Sequence, residues 1–128
     1  MTKVFIDGSA GTTGLRIYER LEERNDIELI RLPEELRKDI GARKAAINSA
    51  DIAFLCLPDA AAKEAVSLVD NDDTVIIDTS TAHRTSPGWV YGFPELSEEI
   101  EKKIAVSRRI AVPGCHASGF IALVFPLI

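Results

Sequence analysis

Only two cysteines, Cys56 and Cys115, occur in the 128 residues. They lie far apart, with no CxxC spacing and no accompanying histidine pattern. A disulfide framework and a zinc site are therefore excluded as expectations, no metal is expected, and a reducing cytoplasm suits such a chain. Basic residues are also in deficit, 15 against 20 acidic, for a net charge of −5. Nucleic acid is an unsuitable partner for that balance, because phosphate backbones are met by a basic face. Long apolar runs are missing too. The longest, Phe120 to Ile128, is far short of the roughly 20 residues a membrane span needs, and Asp7 and Gly8 cut off the first apolar run before it resembles a signal peptide. A soluble cytoplasmic domain without membrane contact is expected. The final residues, Phe125-Pro126-Leu127-Ile128, are apolar and uncapped, so the sequence reads as the first part of a longer protein.

What the sequence does contain is an alternation of strand and helix. Lys3 to Asp7, Ile27 to Leu32, Ile52 to Leu57 and Thr74 to Asp78 read as strands, and a last one lies within Ile104 to Val112. Ile52 to Leu57 is apolar on both faces, as buried parallel strands are. Between them, Thr12 to Arg24, Ala42 to Asn48, Ala60 to Val69 and Ser97 to Lys103 read as helices. In the first, Leu15, Tyr18 and Leu21 share a face. Asp59 is expected to cap the third, after Pro58 stops the strand. Gly88 to Leu96 reads as an irregular loop with one short extended piece. This order predicts an α/β fold with a doubly wound, mostly parallel, Rossmann-like sheet, and a single cofactor-binding domain over residues 1–128.

The first strand runs into Gly8-Ser9-Ala10-Gly11-Thr12-Thr13-Gly14, which opens the first helix. That context gives the glycines meaning. A side chain at Gly8 or Gly11 would obstruct the turn and the approach of backbone to a pyrophosphate, and Gly14 would let the helix pack closely on the strand. Ser9, Thr12 and Thr13 add hydroxyl donors. The spacing is GxxGxxG rather than GxGxxG, so the general dinucleotide fingerprint is met in part; the plainer reading is a glycine-rich turn without a ligand. At the end of the second strand stands Arg31, with Arg37 and Lys38 following and no acid before Glu34. A ribose 2′-phosphate calls for arginine there and a free 2′-hydroxyl for an acid, so the expected cofactor is NADP.

Leu57-Pro58-Asp59 and Asp78-Thr79-Ser80-Thr81-Ala82-His83-Arg84 follow strands expected in mid-sheet. Leu57, Pro58, Ser80 and Thr81 are therefore candidates to line the cofactor crevice. Asp78 is read as ordering its own loop, and Arg84 as holding an anion or pairing with a carboxylate. Cys115 sits in Pro113-Gly114-Cys115, between a strand-like and a helix-like run. There, backbone N–H groups would lower the thiol pKa and hold an oxyanion, making it the candidate nucleophile. Gly114 leaves room beside it. His116 is a poor partner because helical neighbours diverge by about 100°; a pair between Cys115 and His83 stays open.

These residues together resemble the N-terminal part of the N-acetyl-gamma-glutamyl-phosphate reductase family, in its shorter type. The likeness covers essentially all of the chain. It rests on Gly8 to Gly14, Ala50 to Asp59, Asp78 to Arg84, the string Gly88-Trp89-Val90-Tyr91-Gly92-Phe93-Pro94-Glu95-Leu96, and Pro113-Gly114-Cys115 with Gly119. Val112 stands where members usually carry Asn, His116 where they carry an aromatic, and Ser118 where they carry Thr. The resemblance implies NADPH-dependent reduction of a small acyl phosphate, N-acetyl-gamma-glutamyl phosphate, to the semialdehyde through a Cys115 thioester, in arginine biosynthesis. It places the acid–base histidine and the substrate arginine in a second domain that this chain lacks. A homo-oligomer is expected for the complete protein. The competing class is a non-catalytic NADP-binding or redox-sensing module.

Overall fold

The first strand is paired on both sides and buried on both faces. In the computed structural model, which describes residues 2–8, 11–93, 97–114 and 123–124, β1 (Thr2–Asp7) buries Val4, Phe5, Ile6 and Asp7 in succession. Burial on both faces is what a parallel strand covered by helices requires. β2 (Ile27–Ile30) pairs on one side of it and β3 (Ile52–Leu55) on the other, followed by β4 (Val75–Asp78), β6 (Arg109–Ala111) and β5 (Val90–Tyr91). The sheet order is β2-β1-β3-β4-β6-β5, and every pairing among the described residues is parallel. The expected doubly wound, Rossmann-like α/β fold is the one observed. The chain leaves β1 in one direction for β2 and crosses back for β3, so the loops after β1 and β3 diverge and leave a crevice at their carboxyl ends.

The helices are α1 (Thr12–Glu22), α2 (Ile40–Ser49), α3 (Asp59–Ser67) and α4 (Glu98–Val106). α1 stops two residues before the expected Arg24, whose guanidinium turns back to Asp26 at 2.6 Å. Leu15 also departs from expectation. Gly14 is the buried residue of α1, and Leu15 is 49% exposed rather than packed with Leu21 on the sheet. α2 begins earlier than Ala42 because Asp39 caps it, accepting from the Ala42 N–H at 2.8 Å. Asp59 does not cap α3: Pro58 occupies the N-cap and Asp59 is the first helical residue. Its carboxylate instead accepts from the backbone N–H of Thr81 at 2.9 Å and from the Thr81 hydroxyl. Ser97 caps α4 through the Ile100 N–H, and three glutamates in the first turn suit the positive end of the helix dipole. β2 and β3 end at Ile30 and Leu55, which leaves Arg31 and Leu57 beyond the strands, in the crevice loops.

The core gathers Phe5, Ala53, Leu55 and Ile76 from the sheet with Ala46, Ile47, Ala50 and Ala65 from α2 and α3 or their ends. Alanine dominates the helical side and lets those helices lie close to the strands. Thr74 is the polar exception. It is 1% exposed, and its hydroxyl donates to the Ala50 carbonyl at 3.0 Å, closing the end of α2 onto β4. No helix among the described residues is long and apolar enough to cross a membrane.

Thr74→Val keeps the shape of that side chain and removes the donor. Urea unfolding is expected to show a loss of about 1–2 kcal/mol, because the carbonyls it served stay buried.

Candidate functional site

The crevice opens from a single corner. Gly8 leaves β1 at φ +86°, a conformation side chains rarely adopt, and a Cβ there would lie 2.3 Å from the Cys56 carbonyl oxygen. The close approach comes from the sheet itself, since Cys56 N–H donates to the Asp7 carbonyl at 2.8 Å and keeps the end of β3 against β1. The turn closes when Gly11 N–H reaches the Gly8 carbonyl at 3.1 Å, and α1 starts with Leu15 N–H on the Gly11 carbonyl at 2.9 Å. Gly11 is different in kind. Its φ of −78° suits any residue, and among the described residues an added Cβ would meet the Gly8 carbonyl alone, at 3.5 Å. Neither its backbone nor its described neighbours require glycine there. Thr12 and Thr13 are exposed in the first turn of α1, while Gly14 is buried. Ser9 and Ala10 lie outside the described residues.

From this corner a cavity of about 550 Å³ extends over the ends of β1 and β2. That is the size of a small-molecule or cofactor site. Gly8, Leu57 and Ala61 border it on one side, and Leu15 and Tyr18 of α1 on another. This accounts for the exposure of Leu15, which is turned to the cavity. Arg31, Arg37 and Lys38 line it as well. Arg31 lies over the Tyr18 ring, 4.7 Å from its centroid, and reaches Glu22 at 3.6 Å, with two-thirds of its side chain exposed. The ring holds the guanidinium in place, and the exposed Glu22 contact is a loose one that an anion could replace.

Two further residues at the cavity, Asp7 and Arg43, were not among the candidates. They form a buried ion pair at 2.8 Å, and Arg43 also meets Glu64 at 3.2 Å. The signal that could have found it is a carboxylate closing an otherwise apolar strand, which must have a cation nearby. The Cys56 thiol is pushed up in pKa by burial, although Thr79 lowers it in part, and Asp7 and Asp78 raise it further.

The loops after β4 and β6 form a second cluster. Asp78 is fully buried, as expected of a loop-ordering residue. It accepts from the Ser80 N–H at 2.9 Å, the Ser80 hydroxyl at 2.8 Å and His83 Nδ1 at 2.5 Å. His83 stacks on Trp89 with ring centroids 4.2 Å apart. Arg84 Nε donates to the Val112 carbonyl at 2.9 Å and its Nη2 to the Thr79 carbonyl at 3.4 Å, so these two donors serve backbone rather than a carboxylate. The room beside Gly114 is taken by the same arginine, whose Nη1 would lie 2.7 Å from an added Cβ. Of the candidates to line the cofactor crevice, Leu57 borders the cavity. The hydroxyls of Ser80 and Thr81 are engaged with Asp78 and Asp59, and Pro58, Ser80 and Thr81 do not border it. Cys115 and its followers His116, Ser118 and Gly119 lie outside the described residues, as do Pro94, Glu95 and Leu96.

A glycine corner at the switch point of a parallel sheet, opening on a cation-lined cavity, has a counterpart among known sequences. Residues 3–104 match the family model described as semialdehyde dehydrogenase, NAD binding domain. The chain belongs to that family. This NAD-binding domain is 58% identical over 125 residues to N-acetyl-gamma-glutamyl-phosphate reductase 2 of Pseudomonas putida, covering 98% of the chain and 40% of that protein. It is 58% identical over 126 residues to N-acetyl-gamma-glutamyl-phosphate reductase of Chelativorans sp., covering 98% and 41%. The chain thus spans about 40% of the length of these relatives. Among solved structures it resembles aspartate semialdehyde dehydrogenase with NADP from Candida albicans, with TM-score 0.67 and 14% identity over 99% of this chain and 46% of that one. Aspartate semialdehyde dehydrogenase II of Vibrio cholerae, complexed with ASA, gives 0.65 at 17% identity, over 99% and 46%. These two likenesses are of fold.

Gly8 and Gly11 of the NAD-binding domain should separate stability from ligand affinity. Gly8→Ala is expected to lose about 2–4 kcal/mol in chemical unfolding, from the positive φ and the clash with Cys56. Gly11→Val is expected to stay within about 1 kcal/mol of the parent in stability while weakening dinucleotide binding in a titration with NADPH.

Proposed function

We propose that the chain is the cofactor-binding part, residues 1–128, of an NADP-dependent reductase that converts N-acetyl-gamma-glutamyl phosphate to its semialdehyde, as the names of its relatives suggest. The observation that carries the cofactor half of this reading is the cavity that starts at the Gly8 corner and has Arg31, Arg37 and Lys38 on its wall. Its size and its donors fit a dinucleotide. Gly8 to Gly14, that is Gly8, Ser9, Ala10, Gly11, Thr12, Thr13 and Gly14, would hold the pyrophosphate with backbone N–H groups and hydroxyls. Leu57 would pack against the nucleoside. Arg31, steadied by Tyr18, would meet a ribose 2′-phosphate in place of Glu22. When bound, NADPH supplies the hydride.

On the protein side, Cys115 is the proposed nucleophile. Its thiolate sulfur forms a bond to the acyl carbon, the bond from that carbon to the phosphate oxygen breaks, and phosphate departs with the electron pair, leaving an acyl thioester ready for reduction. Arg84 would order the approach to Cys115, since it donates to the Val112 carbonyl and fills the space beside Gly114. Asp78 in turn fixes the loop that carries Arg84. Pro58, Ser80 and Thr81 would shape the loop ends toward the nicotinamide half. The reading implies a cytoplasmic enzyme of arginine biosynthesis, homo-oligomeric when complete.

Cys115→Ser in the complete protein is expected to abolish reduction of the acyl phosphate while NADPH affinity stays within about twofold; a parallel loss of affinity would contradict the assignment. Cys56 is an internal reference, since burial disfavours its thiolate. Iodoacetamide at neutral pH should therefore label Cys115 first, and a Cys115 no faster than a free thiol would favour a non-catalytic binding module. Arg31→Ala should weaken NADPH by about 1.5–3 kcal/mol relative to NADH, because one charge-assisted contact is lost. Equal losses for both cofactors would place the 2′-phosphate elsewhere.

A further inference from the structure

Asp7 closes β1 one residue before the Gly8 corner and is only 3% exposed. An anion in that place opposes any phosphate brought to the corner, since two like charges in a cleft of reduced dielectric repel strongly. The chain answers with Arg43, thirty-six positions further on and 7% exposed. Its Nε lies 3.2 and 3.0 Å from the two Asp7 oxygens, and its Nη2 donates to Oδ2 at 2.8 Å. Nη1 reaches Glu64 at 3.2 Å, but half of that side chain is in water, which screens it. Asp7 has no such screening, and among the described residues Arg43 is its one side-chain partner. Burial alone would push the guanidinium down, and the hydrogen bonds and charges of Asp7 and Glu64 outweigh it, so Arg43 stays a cation. Asp7, Gly8 and Arg43 all border the same cavity.

We propose that Arg43 is a positioning residue of the cofactor site: it cancels the Asp7 charge beside the pyrophosphate position, so that dinucleotide affinity depends on the pair. This rests on the reading that a dinucleotide lies on the Gly8 corner. A pair that served packing alone would make both of its members necessary in the same sense. A charge-cancelling pair makes them opposite, because losing Arg43 exposes an anion to the phosphates and losing Asp7 leaves a cation facing them.

The test is NADPH affinity by calorimetric titration for the parent protein, Arg43→Met, Asp7→Asn and the double variant, at low and at moderate ionic strength. Arg43→Met is expected to weaken NADPH on the order of tenfold, more at low salt. Asp7→Asn should bind at least as tightly as the parent, and the double variant within about threefold of it. Equal weakening in both single variants, or an Arg43→Met that binds like the parent, overturns the proposal. A buried carboxylate left alone can unfold a protein. If Arg43→Met does not fold, Asp7→Asn and the double variant carry the test, and a tenfold loss in Asp7→Asn overturns it. A parent protein that binds no NADPH would instead remove the underlying cofactor reading.

Discussion

Everything at the carboxyl edge of the sheet depends on how closely β3 is drawn against β1. The Cys56 N–H bonds the Asp7 carbonyl, and its own carbonyl then stands where a side chain on the next residue of β1 would have to be. Only a residue without Cβ can leave the strand there, and it leaves with positive φ. That exit directs the chain to the start of α1 and puts the first helical N–H groups over the switch point of the sheet. The cavity is the space left where the two loops part. A pairing between two strands thus sets where a ligand would lie.

The same edge concentrates charge that the core cannot accept unaided. Asp7, Arg43 and Asp78 are buried, and each has partners: Arg43 has two carboxylates, and Asp78 has a hydroxyl, an amide and an imidazole. Burying an ion pair carries a desolvation penalty that attraction offsets only with good geometry. These pairs add little to stability over an apolar core, and their concentration at the loop ends is better understood as fixing loop shape. The alanine-lined core behind them supplies the cohesion. Polar order at the edge and apolar packing behind it are thus separate tasks, assigned to different residues.

Much of this could be read from the residue pattern. Strands apolar on both faces announced a parallel sheet, and glycines between the first strand and helix announced the corner. Arg31 announced a cationic end to β2. Interactions between distant positions were less visible. Asp59 has the residue type and place of a helix cap, yet Thr81, twenty-two positions on, offers it an amide and a hydroxyl together. Leu15 repeats at helical spacing with Tyr18 and Leu21, but a cavity beside α1 gave it another surface to face. Arg43 in a weakly amphipathic helix looks like a solvated residue until the fold brings Asp7 to it. Local rules failed at the crevice because residues there answer to neighbours across the sheet.

The stacked pair of His83 and Trp89 has an optical consequence. Trp89 is the sole tryptophan of the 128 residues, and its indole is stacked on His83 of the loop after β4. Indole emission from this chain therefore reports one spot, the loop that Asp78 orders. A change in how that loop packs would alter it. The protein carries its own dye, seated on the loop that also holds Arg84.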